Sequence, residues 1–359
     1  MLQLEARPEP SRKMMLASPV IAAFAMMVTG VILFTMLGHP PFEAMYIYFI
    51  KPMTTAYGIG ELLLKATPLI LCGVGLAIGF RANVFNIGAD GQLTIGAIAG
   101  GCVALYFQDV ESVWILPLML LAGAIGGMLW AAIPAFLRTK FNTNEILVSL
   151  MMVYVAYLLL NYLVSGVLKD PDGYNFPQSK LFSASALLPL LVEGLRTNVA
   201  FLLSLVVVAG AWFFCTKTFA GYRMQVSGMA PSAAAYAGFS EKRNIWLAFL
   251  ISGALAGIAG VGEVAGPIGQ LQPSVSPGYG FAAIIVAYVG RLNPIGVLFS
   301  ALLMSLLYIG GESGQMEMQL PSAITGLFQG LLLFYLLAAD IFIHYRFKDR
   351  AKALKHVLE

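Results

Sequence analysis

The chain has 359 residues, of which 59% are hydrophobic and only 11% charged, with a formal net charge of +3. A soluble fold of this size needs roughly a quarter of its residues charged, so the composition excludes one, and the small, dispersed positive charge excludes a nucleic-acid partner. What remains is an all-α integral membrane protein.

A helix crosses the hydrocarbon core in about 20 residues. After a cytoplasmic N-terminal segment, 1–18, nearly uncharged runs of that order occur at 19–38, 59–80, 92–107, 113–137, 146–168, 197–216, 245–262, 279–290, 295–311 and 321–343, the third and eighth being short. The first run follows Arg12 and Lys13 but ends in Gly38-His39-Pro40-Pro41 without a small-x-small cleavage pattern. It is therefore expected to stay as an anchor. About ten transmembrane helices with both termini cytoplasmic place 16 of the 21 basic residues inside, among them Arg81, Arg138, Lys140, Lys242, Arg243 and those of a basic tail, 344–359. Lys51, Lys65, Lys169, Lys180 and Arg196 stay outside, so the arrangement obeys the positive-inside bias. The whole chain, 1–359, is expected to form a single transmembrane domain.

Four stretches break the pattern. Residues 79–92 hold Asn83, Asn86, Asp90 and Gln92 between two apolar runs. They read either as a broken helix beside a pathway or as a cytoplasmic turn with Asn86 and Asp90 as caps. Asn142 followed by Glu145 has capping-box spacing and predicts a helix start. The connection 217–244 carries Pro231-Ser232-Ala233-Ala234-Ala235-Tyr236-Ala237-Gly238, a Pro-led run of helix formers stopped by glycine. It predicts a helix of about two turns outside the membrane, with small residues that admit a partner closely. Residues 263–278 hold Glu263, Gln270 and three prolines, so they are either an external loop or a re-entrant segment. Glycines 123, 126 and 127, 253, 257 and 260, and 310, 311 and 314 suit close helix packing.

Chemistry is sparse. Cys72, Cys102 and Cys215 lie in apolar runs without paired spacing, and the three histidines are far apart, so no disulfide, metal or other cofactor is expected. No P-loop, serine-hydrolase or metalloprotease motif is present, and mid-span carboxylates are few. A passive conduit powered from outside fits better than an enzyme or an ion-coupled pump.

Four segments in order, Phe80 to Gln92, Asn144 to Met152, Ala233 to Gly238, and Gly280 to Ile284 continuing through Gly290-Arg291-Leu292-Asn293-Pro294-Ile295-Gly296, resemble the permease subunits of ATP-binding-cassette importers. The group handles simple sugars, branched-chain amino acids and nucleosides, and the resemblance spans roughly residues 60–340. The Asn-Ile-Gly-Ala-Asp-Gly-Gln version is similar to nucleoside-type permeases paired with basic-membrane-protein lipoproteins, with Asp90 where Glu is commoner. The resemblance implies a pathway through a cell (inner or plasma) membrane for a small polar solute, a nucleoside first and a simple sugar second, by alternating access. It implies cytoplasmic ATPase subunits, an extracytoplasmic binding protein or lipoprotein, and a second permease, either a related chain or a copy. Candidate pathway residues are Asn83, Asn86, Asp90, Gln92, Glu263 and Gln270. Ser232, Ala233, Ala234, Ala235, Tyr236, Ala237, Gly238 and Ser240 would form the helix that couples to the ATPase. A self-sufficient secondary transporter is the competing class.

Overall fold

The computed structural model describes residues 2–7, 11–192 and 194–349. Among them each apolar run has become a helix: α1 (Arg12–Met36), α3 (Ala56–Arg81), α4 (Ala89–Tyr106), α5 (Ile115–Phe141), α6 (Glu145–Ser165), α7 (Ala200–Lys217), α10 (Glu241–Glu263), α11 (Tyr279–Val289), α12 (Pro294–Met318) and α13 (Ala323–His344). Three short helices lie between them, α2 (Pro41–Met45), α8 (Phe219–Met229) and α9 (Pro231–Tyr236). Eight helices are long and apolar enough to span a bilayer; the two short runs are the exceptions. α4 spends its first turn on Asp90 and Gln92. α11 has 11 residues, about 16 Å at 1.5 Å per residue, roughly half the hydrocarbon core. The chain is a multi-pass membrane protein.

The described residues pack as two compact units, one drawn from Met1–Pro52 and Leu307–Glu359, the other from Met53–Leu306. In the first unit α1 lies against α13, and Phe34, Tyr48 and Phe328 form a buried aromatic cluster, the Tyr48 and Phe328 rings 4.9 Å apart. The Tyr48 hydroxyl donates to the Leu307 carbonyl at 3.1 Å. One feature departs from the all-helical reading. β1 (Leu2–Ala6) pairs antiparallel with β2 (Tyr345–Asp349), with Glu5 opposite Arg346 and Gln3 opposite Lys348. Both segments alternate apolar and polar residues, the period of a strand. Residues 350–359 of the expected basic tail lie outside the described residues.

The second unit is built around α3, 83% of whose apolar window is buried, and α10, at 61%; in α5, α6 and α7 the share is 22–28%. Between Lys65 and Arg81 α3 is apolar all round and rich in small residues, so it is surrounded by protein, whereas the others keep a lipid-facing side. α4, α5 and α10 cross on glycine. A methyl on Gly257 would strike the Gly123 carbonyl, one on Gly96 would meet Gly257, and one on Gly127 would meet the Gly253 carbonyl. Lipid offers no hydrophobic drive for association, so this close backbone approach carries the packing. Gly257→Val is therefore expected to lower the unfolding temperature and the yield of monodisperse protein in detergent. Gly210→Val should do neither, since nothing lies within 4 Å of that position.

The expected capping box at 142–145 does not form. α5 runs on to Phe141, leaving three residues to reverse the chain, and Asn142 takes the left-handed conformation (φ 52°) as the C-cap of α5. Asn144 caps α6 instead, accepting from the Ile146 N–H at 2.9 Å. Glu145 turns back to pair with Arg138.

Candidate functional site

The break between α3 and α4 is buried rather than an exposed turn. The chain leaves α3 through Asn83 in a left-handed conformation (φ 57°), with the Val84 N–H donating to the Gly79 carbonyl at 3.1 Å. Asn86 then folds inward. Its Nδ2 donates to Gln92 Oε1 and to Ser252 Oγ, both at 2.9 Å, while its Oδ1 accepts from Gln92 Nε2 at 3.1 Å and from the Gly88 N–H at 2.9 Å. These bonds tie the break to α10, and Asn86 and Gln92 are 2% and 1% exposed.

Asp90 caps a different helix from its own. Its Oδ1 accepts from the Gly280 N–H at 2.6 Å and from Ser276 Oγ at 2.8 Å, and its Oδ2 accepts from the Tyr157 hydroxyl. The free N–H groups of the short helix α11 thus receive a carboxylate, which also complements the positive end of the helix dipole. Position 280 must be glycine, because a methyl there would overlap the Asp90 backbone. Asn86, Asp90 and Gln92 come together as a framework of internal bonds. Asn83 lies apart, beside a groove formed with Pro231, Ala234 and Phe239.

The segment 263–278 is irregular but paired. A π-helical turn, Val264–Ile268, extends α10 and stops at Gly269 (φ 75°). A strap alongside it satisfies its backbone: Leu188 N–H donates to Ala265 O at 2.8 Å, Phe182 N–H to Gly269 O at 2.9 Å, and Ser179 N–H to Leu271 O at 2.9 Å. Irregular backbone in a membrane protein survives only with such partners. Gln270 belongs to this seam, donating to Gln178 Oε1 at 3.2 Å.

Glu263 has another setting. It is 6% exposed and faces a cavity of about 350 Å³ lined also by Glu61, Lys65, Arg196, Gln272 and Tyr279, with Leu64, Pro267 and Ile268 as its apolar wall. Glu61 and Lys65 are four residues apart and share one face of α3. Arg196 comes from the segment before α7; its Nη1 lies 3.5 Å from Glu61 Oε1, and its Nη2 donates to the Pro267 carbonyl at 3.3 Å. Two acidic and two basic side chains share this cavity, with Arg196 and Glu61 paired. Charges on a spanning helix are costly, about 2.5–3.5 kcal/mol each on insertion scales, and mark functional sites by default. The sequence reading singled out Glu263 alone of this group. The available signal for the rest was the Glu-Lys pair four apart near the start of an otherwise apolar helix.

Between α7 and α10 a short helix, α9, stands at the expected place in the sequence, one residue earlier and shorter than anticipated. Pro231 opens it and Gly238 (φ 78°) ends it. Ala234 alone of its alanines is buried, whereas Tyr236 is 97% exposed, with Ser232, Ala233, Ala235, Ala237 and Ser240 exposed around it. The helix is held from behind: Phe239 meets Phe219 of α8 edge-on at 5.8 Å. Arg223 of α8 donates to Asn244 Oδ1 at 2.8 Å, and Asn244 donates to Ser227 Oγ at 2.7 Å. Ser240 then caps α10, accepting from the Arg243 N–H at 3.4 Å.

Residues 58–337 match the model of the branched-chain amino acid transport system permease component. The chain belongs to that family, the permease subunits of ATP-binding-cassette importers. It is 35% identical to the glucose ABC transporter permease of Haloferax volcanii, over 96% of this chain and 93% of the relative. It is 32% identical to the guanosine ABC transporter permease of Bacillus subtilis, over 78% and 80% of the two chains. With the nucleoside ABC transporter permease of Lactococcus lactis the identity is 30%, over 94% of each.

Proposed function

We propose that this chain forms one half of the solute pathway of an ATP-driven importer in the cell (inner or plasma) membrane, and that the solute is a nucleoside. Two relatives named for guanosine and nucleoside transport support that solute, alongside the Asn-Ile-Gly-Ala-Asp-Gly-Gln segment. The glucose permease relative supports a simple sugar as the second reading. Cytoplasmic ATPase subunits bind and hydrolyse ATP, an extracytoplasmic binding protein or lipoprotein delivers the solute, and a second permease completes the pathway. Both termini face the cytoplasm.

The observation that carries the mechanism is the course of α10. It starts directly behind the exposed α9 and ends at Glu263, at the polar cavity. Its 23 residues make a rod of about 35 Å. A push on Tyr236 and its neighbouring alanines therefore reaches the cavity through a single rigid element. In this reading Ser232 to Ser240 dock on the ATPase and Glu263 faces the solute. Asn83, Asn86, Asp90, Gln92 and Gln270 frame the pathway by holding the breaks at either end of α4 and α10.

In proteoliposomes containing the assembled importer, ATP should drive uptake of labelled uridine. Excess guanosine should compete and excess D-glucose should not. Competition by glucose alone would establish the sugar reading in its place.

A further inference from the structure

The cavity between α3, α10 and α11 holds an acceptor that the protein itself does not use. Glu61 is 8% exposed, yet no hydrogen bond reaches its Oε1; Arg196 stands 3.5 Å away, in ion-pair range only. A buried carboxylate oxygen left in this state calls for a donor from outside the chain. Glu263 faces the same space from the end of α10, and the volume, about 350 Å³, lies within the range of small-ligand sites.

We propose that this cavity binds the hydroxylated ring of the carried solute, with neighbouring hydroxyls donating to Glu61 and Glu263 and the ring face resting on Leu64, Pro267 and Ile268. The inference rests on the solute reading above, since a nucleoside and a simple sugar share such a ring. The lining offers as many acidic as basic side chains, so the site is not built around a strong charge of one sign. A zwitterion would have to separate Glu61 from Arg196, whereas a hydroxyl can donate to the carboxylate and leave the pair in place. Arg196 acts as a positioning residue, since it also holds the Pro267 carbonyl at 3.3 Å.

The test uses the complete importer in liposomes, with uridine and D-glucose as probes and leucine as the zwitterion. Glu61→Gln and Glu263→Gln keep side-chain size, and each should reduce uptake of the carried probe at least tenfold at low concentration. 2′,3′-Dideoxyuridine should be a correspondingly poor solute for the unsubstituted importer. A second measurement does not depend on transport or on either variant folding. With the exposed Cys102 replaced by Ser, Gln272→Cys places a thiol in the cavity wall, and uridine or glucose should slow its maleimide labelling at least threefold. Uptake of a probe that survives both Glu→Gln changes, without protection at position 272, overturns the cavity assignment and leaves the importer reading intact. ATP-driven uptake of leucine but of neither ring probe overturns both the cavity assignment and the solute reading.

Discussion

Tyr236→Arg combined with Ala235→Arg is expected to reduce ATP-driven uptake by about 30-fold or more, without unfolding the chain. Both residues are exposed, and Tyr236 at 97% makes almost no contact within its own chain. An aromatic side chain on a platform of alanines has the form of an interface anchor, and losing such an anchor costs about 2 kcal/mol or more of binding, a factor of roughly 30. The added arginine bulk also blocks the close approach that alanine permits. The measurement is co-purification of the ATPase subunits with the variant, together with uptake in proteoliposomes. Its unfolding temperature should match that of the unsubstituted chain, because the buried Ala234 and the Phe239–Phe219 ring contact are untouched. Normal recruitment and normal uptake would remove α9 from the coupling role.

The second large effect is expected at Asp90, and it concerns stability. Asp90→Ala would strand the buried Gly280 N–H and take one partner away from the half-buried Ser276 and Tyr157 hydroxyls. A buried group left unpaired costs about 1–3 kcal/mol, and the loss should be of that order. Thermal unfolding followed by the reactivity of the buried Cys72 thiol reads this directly. Asp90→Asn keeps one acceptor oxygen and should lose less. A solute-contacting Asp90 would behave in the opposite way, with Asp90→Asn altering the half-saturation of uptake at unchanged unfolding temperature.

Much of this fold could be read from the chain because a lipid-spanning helix announces itself locally. The ten apolar runs coincide with ten helices, and the two short runs are the two helices that fail the span criteria, α4 for its polar first turn and α11 for its length. The short helix α9 was equally legible, since Pro231 and Gly238 set its ends by backbone chemistry alone. The capping box failed because spacing cannot say where the preceding helix stops; α5 consumed the residues up to Phe141 and made Asn142 a C-cap. The strand pair was missed because its two partners stand at opposite ends of the chain. The sites were less legible for the same reason. Asp90 looked like a cap for its own helix, but its acceptor serves Gly280, 190 residues away. The polar cavity draws Glu61, Arg196 and Glu263 from three separate segments, and no local pattern joins them.

The central claim is that transport through this chain is powered by nucleotide hydrolysis on separate subunits. The direct measurement is uptake of labelled solute into proteoliposomes holding either this chain alone or the full assembly, each with and without ATP. Accumulation only in the full assembly with ATP is the expected result. Accumulation by the chain alone, with no ATPase present, would contradict it.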